Sequence, residues 1–110
     1  MNNEKILHLT LKKQWFDMIA TGEKREEYRE IKPYWEKRLC NHNEKGEFDG
    51  YKEFDFVIFR NGYQKNAPEM KVEVTGIGCD IGEEKWGARI NTLYNVIELG
   101  NVVEIKNWKQ

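Results

Sequence analysis

The hydrophobic period of this chain changes at residue 12, and that change constrains the fold more than any other feature of the sequence. Residues 5–11, KILHLTL, alternate: Leu7, Leu9 and Leu11 share one face, while His8 and Thr10 point the other way, the pattern of a half-buried strand. The second face, with Ile6, His8 and Thr10, is mixed and could line a cavity. From 12 to 21 the apolar residues fall at helical spacing instead, at Trp15, Phe16 and Ile19. Gly22 then stands where a left-handed residue ends a helix.

The stretch that follows, TGEKREEYR at 21–29, is dominated by charge. Read as a short extended segment over 26–30, it puts Glu27 and Arg29 on one side and Tyr28 on the other. Pro33 opens a second helix, PYWEKRL at 33–39, because proline is tolerated in the first helical turn. Residues 41–53, NHNEKGEFDGYKE, carry two glycines among polar residues and read as a surface loop. FDFVIFR at 54–60 is aromatic and β-branched, as strands are. Asn61-Gly62 is a turn dipeptide, although YQKNAP after it does not return as a clean strand. EMKVEVTGI at 69–77 alternates at Met70, Val72 and Val74, and Gly76, Gly78 and Gly82 loosen the chain beyond. EEKWGAR at 83–89 reads as a short helical turn or a loop. YNVIEL at 94–99 and VVEIK at 102–106 read as two strands around a Gly100-Asn101 hairpin.

These elements lack the regular strand–helix alternation of a parallel sheet. They predict an α+β domain spanning residues 1–110: a small, mostly antiparallel β-barrel of about five or six strands, with two helices packed outside it. The length of 110 residues suits one domain with a single core. Aromatics at 13% supply large buried areas to it.

Composition removes several classes of function. The formal net charge is -1, so the chain has no overall basic face of the kind that grips long duplexes. Two cysteines, Cys40 and Cys79, make neither a disulfide scaffold nor a CxxC site. His8 and His42 have no spaced partner, so no metal is expected, and no motif calls for a cofactor. Serine is absent altogether, which excludes a serine triad, and there is no P-loop and no GxGxxG. No apolar run approaches the ~20 residues that span a bilayer, and the first residues lack a signal-peptide core. A cytoplasmic location without membrane contact follows by default; the oligomeric state is open.

The residues that carry chemistry cluster in two places. Lys24, Glu27 and Arg29 read either as solvated surface charge, paired at helical spacing, or as the floor of a polar pocket. In the second case the guanidinium supplies a fork of donors and the carboxylate an acceptor. A lysine whose pKa is lowered by burial could also act as base or nucleophile. FRNGY at 59–63 ends a strand with Arg60, Asn61 and Tyr63, either an ordinary turn or donors and a ring suited to a base or phosphate. Trp86 reads as a rim aromatic or a stacking platform. Glu83 and Glu84 are loop carboxylates that could supply a general acid.

The order LHLTLKKQWFDMIATGEKREEYRE, then FRNGY, then KVEVTGI resembles the ASCH domain family of the PUA-like superfamily. The resemblance covers most of the chain. It rests on a strand, a helix with an aromatic-rich face, and G-x-K followed by E-x-R, here Gly22, Lys24, Glu27 and Arg29. PYWEKRL and NGYQKNAP resemble a subgroup met in phage-related and gut-bacterial genomes. The resemblance implies a compact β-barrel whose cleft is lined by those residues, and RNA or nucleotide-type ligands; some members hydrolyse modified nucleosides or RNA. One branch is an amidohydrolase of acylated cytidine that uses a lysine after the glycine, a threonine three positions later and a separate glutamate. Lys24 matches the first. Glu27 stands in the threonine's place, and Glu83 or Glu84 lies in a region suited to the third. A carboxylate at that position pairs with the lysine and holds it charged, which favours binding over nucleophilic attack.

Three functions follow as expectations. The leading one is a module binding RNA or a nucleotide-like small molecule, with Lys24, Glu27 and Arg29 facing Arg60, Asn61 and Tyr63, and Trp86 at the rim. The second is a small hydrolase of a modified nucleoside such as N4-acylcytidine, with Lys24 and Glu27 catalytic. The third is a protein-interaction module whose charge is only surface.

Overall fold

The computed structural model describes residues 3–109. Its elements, in chain order, are β1 (Ile6–Thr10), α1 (Lys13–Ala20), β2 (Glu26–Arg29), α2 (Pro33–Leu39), β3 (Cys40–His42), β4 (Phe48–Tyr51), β5 (Phe56–Arg60), β6 (Glu69–Ile81) and β7 (Leu93–Lys106), with one turn of 3₁₀ helix at Glu84–Trp86. Five strands form a curled sheet in the order β1-β5-β6-β7-β2, and β3 and β4 form a separate pair. Only β1–β5 is parallel. The architecture is α+β, a half-barrel that carries two helices, as the sequence predicts, with seven strands in place of five or six.

The core follows the two periodicities. Leu7 and Leu9 of β1 point inward with Val57 and Phe59 of β5, Met70 and Val72 of β6, and Ile97 and Leu99 of β7. Helix α1 lays Phe16 and Ile19 onto them, and α2 adds Leu39. Phe16 and Phe59 are fully buried; truncating either to alanine in such a setting costs about 3–5 kcal/mol. Helix α1 ends as its sequence dictates: Gly22 adopts φ +83° and donates its N–H to the Ile19 carbonyl. Pro33 begins α2. No helix among the described residues is long and apolar enough to cross a membrane.

Two sequence expectations are corrected. Residues 94–99 and 102–106 are not a hairpin; they belong to one 14-residue strand, β7, paired along its length with β6. Val72 pairs with Val102 and Val74 with Leu99, so β7 carries one extra residue at Gly100-Asn101. That is a β-bulge, a feature that shares its residue preferences with turns. The Asn101 N–H is taken up by the Glu73 carboxylate at 2.9 Å, and a β-carbon on Gly100 would lie 3.1 Å from the Glu73 side chain. In the same way Gly76 and Gly78 sit inside β6, which runs to Ile81, rather than ending it. The second correction concerns 41–53. It contains most of the β3–β4 pair, turned by Asn43, whose side chain accepts the N–H groups of Lys45 and Glu47. Residues 41–50 are all exposed, so the pair has no apolar alternation by which to be read.

Candidate functional site

β1 and β2 are the two edges of the curled sheet, and side chains close the gap between them. The Arg29 Nη2 of β2 donates to the Thr10 carbonyl of β1 at 3.1 Å, and Arg38 Nη2 of α2 donates to the His8 carbonyl at 3.0 Å. Carbonyls two residues apart on a strand point to one edge. Leu11, on the other parity, bonds through its N–H to Arg60 of β5. The two guanidiniums therefore cap the edge of β1 that no strand among the described residues covers.

Behind Arg29 lies a buried chain of charge. Lys24 Nζ is 2.9 Å from Glu27 Oε1, and Glu27 Oε2 is 2.7 Å from Arg29 Nη2. The alternation of β2 sends Glu27 and Arg29 to the same side, as read from the sequence, and Lys24 reaches them after the turn at Gly22. Lys24 is 2% exposed. Its ammonium also donates to the Trp86 carbonyl at 2.8 Å and lies 4.4 Å from the centre of the Trp15 ring. Burial pulls the Lys24 pKa below the usual lysine value, against the opposing pull of the Glu27 carboxylate. Two acceptors and an aromatic face enclose the amine and close it off from solvent.

In front of Arg29 is an open cleft of about 390 Å³. Its floor is the outer side of β1 and β5, with His8, Thr10, Ile58 and Arg60; α2 supplies Tyr34, Trp35 and Arg38, and the turn after β5 supplies Gly62 and Tyr63. Arg29 lies with its Cζ 4.8 Å from the Trp35 ring centre, and Arg38 lies 5.3 Å from the same ring and 5.8 Å from that of Tyr34. Arg60 Nη2 donates to the Gln64 carbonyl, and its Nε faces Glu69 at 3.5 Å, too long for a hydrogen bond. Arg29 and Arg60 hold the two buried side-chain donors that lack a hydrogen-bond partner among the described residues, Nε in each case.

The structure thus brings Arg29, Arg60 and Tyr63 to one cleft. Lys24 and Glu27 do not line it; they sit behind it. Asn61 lies at its margin and serves the fold, donating its side-chain N–H to the Leu11 carbonyl and its backbone N–H to the Pro68 carbonyl. Trp86 contributes its carbonyl to Lys24, while its half-buried ring carries Lys85 at 4.9 Å. Glu83 and Glu84 are exposed; the Glu83 N–H donates to the Tyr28 hydroxyl, a phenol whose pKa burial raises. Sequence reasoning assigned no role to Tyr34, Trp35 and Arg38. Their spacing held the signal: i,i+3 and i,i+4 place two rings and a guanidinium on one helical face. Comparison of the chain with family models, curated proteins and solved structures finds no match to any of them.

Proposed function

We propose that this chain is a binding module for RNA or a nucleotide-like ligand, and that the cleft between α2 and the β1–β5 edge is its site. One observation carries the reading: Arg29, Arg38, Arg60 and His8 line the cleft with Tyr34, Trp35 and Tyr63, and no carboxylate lies among the lining residues. Guanidinium forks suit phosphate oxygens. Exposed rings suit bases, which stack on aromatic faces irrespective of sequence. Tyr63 is 85% exposed and Tyr34 62%, far more than packing would leave them. The cleft's volume falls in the range of small-ligand sites and suits about one nucleotide unit. The run from strand to helix to G-x-K and E-x-R, carried on a curled sheet, supports placing the chain with the ASCH and PUA-like domains.

The test is a fluorescence-anisotropy titration of short single-stranded RNAs at low salt, with adenosine monophosphate as competitor. Saturable binding is expected. Two or three phosphate contacts on a single strand give a log–log salt slope of roughly -1.4 to -2.1, far shallower than that of a polybasic binder. The Arg60→Ala variant should bind more weakly. Absence of saturable binding, or equal binding by Arg60→Ala, would overturn the proposal.

A further inference from the structure

We infer that Lys24 and Glu27 are positioning residues for the cleft: Glu27, anchored by Lys24, fixes the guanidinium of Arg29 so that its free donors serve an anionic ligand that neither residue touches. The inference rests on the binding reading above and deepens it. The geometry is that of a relay. Each carboxylate oxygen of Glu27 has one partner, Lys24 Nζ behind and Arg29 Nη2 in front, and the carboxylate is almost fully buried. The Arg29 guanidinium is held from three sides: its Nη2 donates to Glu27 and to the Thr10 carbonyl, and its Cζ lies over the face of Trp35. Nη1 and Nε both lack a hydrogen bond within the described residues; Nε is buried, so Nη1 is the donor group left for a ligand. The relay is anchored at its far end as well, because Lys24 is clamped by the Trp86 carbonyl and the Trp15 ring. Both ends of β2 are fixed too: the Arg25 carbonyl accepts the Leu99 N–H, and the Glu30 carbonyl accepts the Asn95 side chain.

The inference makes a prediction of sign that simple electrostatics reverses. A negative charge directly behind a cationic cleft repels anions. On charge alone, neutralising Glu27 should tighten the binding of an anionic probe. If Glu27 instead sets the aim of Arg29, neutralising it frees the guanidinium to swing away, and binding weakens even though a repulsive charge has been removed.

The experiment measures Kd for a fluorescein-labelled short oligouridylate, and for inorganic phosphate, with the wild-type chain, Glu27→Gln and Glu27→Asp. Glu27→Asp keeps the charge and shortens the reach by one methylene, and it guards against a Gln variant that folds poorly. Both variants should bind about tenfold more weakly, the loss of roughly one hydrogen bond to a charged group. Tighter or unchanged binding by a folded Glu27→Gln overturns the inference. A readout that needs no ligand separates this failure from failure of the binding reading. In side-chain ¹⁵N spectra of the free protein, rotation about the Arg29 Nε–Cζ bond should be hindered in the wild type and fast in Glu27→Gln. If the wild type fails to bind either probe but loses this restriction in Glu27→Gln, the binding reading falls and the relay stands. If the restriction persists in Glu27→Gln, the relay is refuted whatever binds.

Discussion

Arg29, on one edge of the sheet, donates to the main-chain carbonyl of Thr10 on the other, 3.1 Å away. A side chain thereby completes what a further strand would otherwise complete. It does so while stacked on Trp35 and paired with Glu27, so one guanidinium joins the fold, the buried charge relay and the open cleft.

That triple duty makes lysine a poor substitute. Arg29→Lys keeps the positive charge but loses the planar guanidinium, whose Nη2 reaches Thr10 and Glu27 while its face stacks on Trp35. The variant should lose about 1.5–3 kcal/mol of RNA-binding free energy in the anisotropy titration. Binding within twofold of wild type would show that charge alone suffices.

Lys24 should matter to stability more than its place in a charged sequence suggests. Lys24→Met leaves the Glu27 carboxylate buried with Arg29 as its one partner, and breaking a buried pair from one side costs about 3–5 kcal/mol. Urea denaturation should show a loss of that order, and the double variant Lys24→Met/Glu27→Leu should recover part of it. A loss under about 1 kcal/mol, typical of exposed pairs, would place Lys24 at the surface.

Acid should loosen the clamp between α1 and the end of the chain. Asp17 accepts hydrogen bonds from Lys13 and from the Trp108 indole, and these, in that order, hold its pKa below the usual aspartate value. A carboxylate depressed by folding contributes its full stability above the unfolded-state value, and loses it as pH falls through the folded-state value. The melting temperature of Asp17→Asn should therefore lie below that of wild type at neutral pH, with the gap closing below about pH 4. A gap that is constant with pH would remove the linkage.

Gly87 ends the 3₁₀ turn with φ +103°, and a β-carbon there would lie 3.0 Å from the Trp15 ring, the ring that backs Lys24. Gly87→Ala combines left-handed strain with crowding and should cost about 1–3 kcal/mol in urea denaturation. A change below about 0.5 kcal/mol would contradict both the strain and the crowding at Gly87.

The front of the molecule is legible in the sequence because each local signal agrees with the one beside it. Leu7, Leu9 and Leu11 against Trp15, Phe16 and Ile19 mark strand and helix, Gly22 marks the stop, and Pro33 the restart. The alternation at 26–29 by itself puts Glu27 and Arg29 on one side. What it does not carry is depth: the same residues suit a pocket floor or a buried relay, and tertiary packing over Lys24 decides which. The Trp86 carbonyl that accepts from Lys24 is a main-chain atom, which no side-chain pattern reveals. Gly100-Asn101 misleads because a bulge in a long strand and the tip of a hairpin draw on the same residues. Tyr34, Trp35 and Arg38 do not stand out in the sequence because a helical face gains a role only from what it packs beside.

On the proposed function, the ligand binds in the cleft under α2. The decisive experiment is a titration of the ¹⁵N-labelled chain with adenosine monophosphate and with a short oligouridylate, followed by amide and arginine side-chain shifts. Saturable shifts are expected, concentrated at His8, Thr10, Arg29, Arg38, Arg60 and Gly62, with the surface around Glu73 and Thr75 unmoved. Shifts centred elsewhere, or none at millimolar ligand, would contradict it.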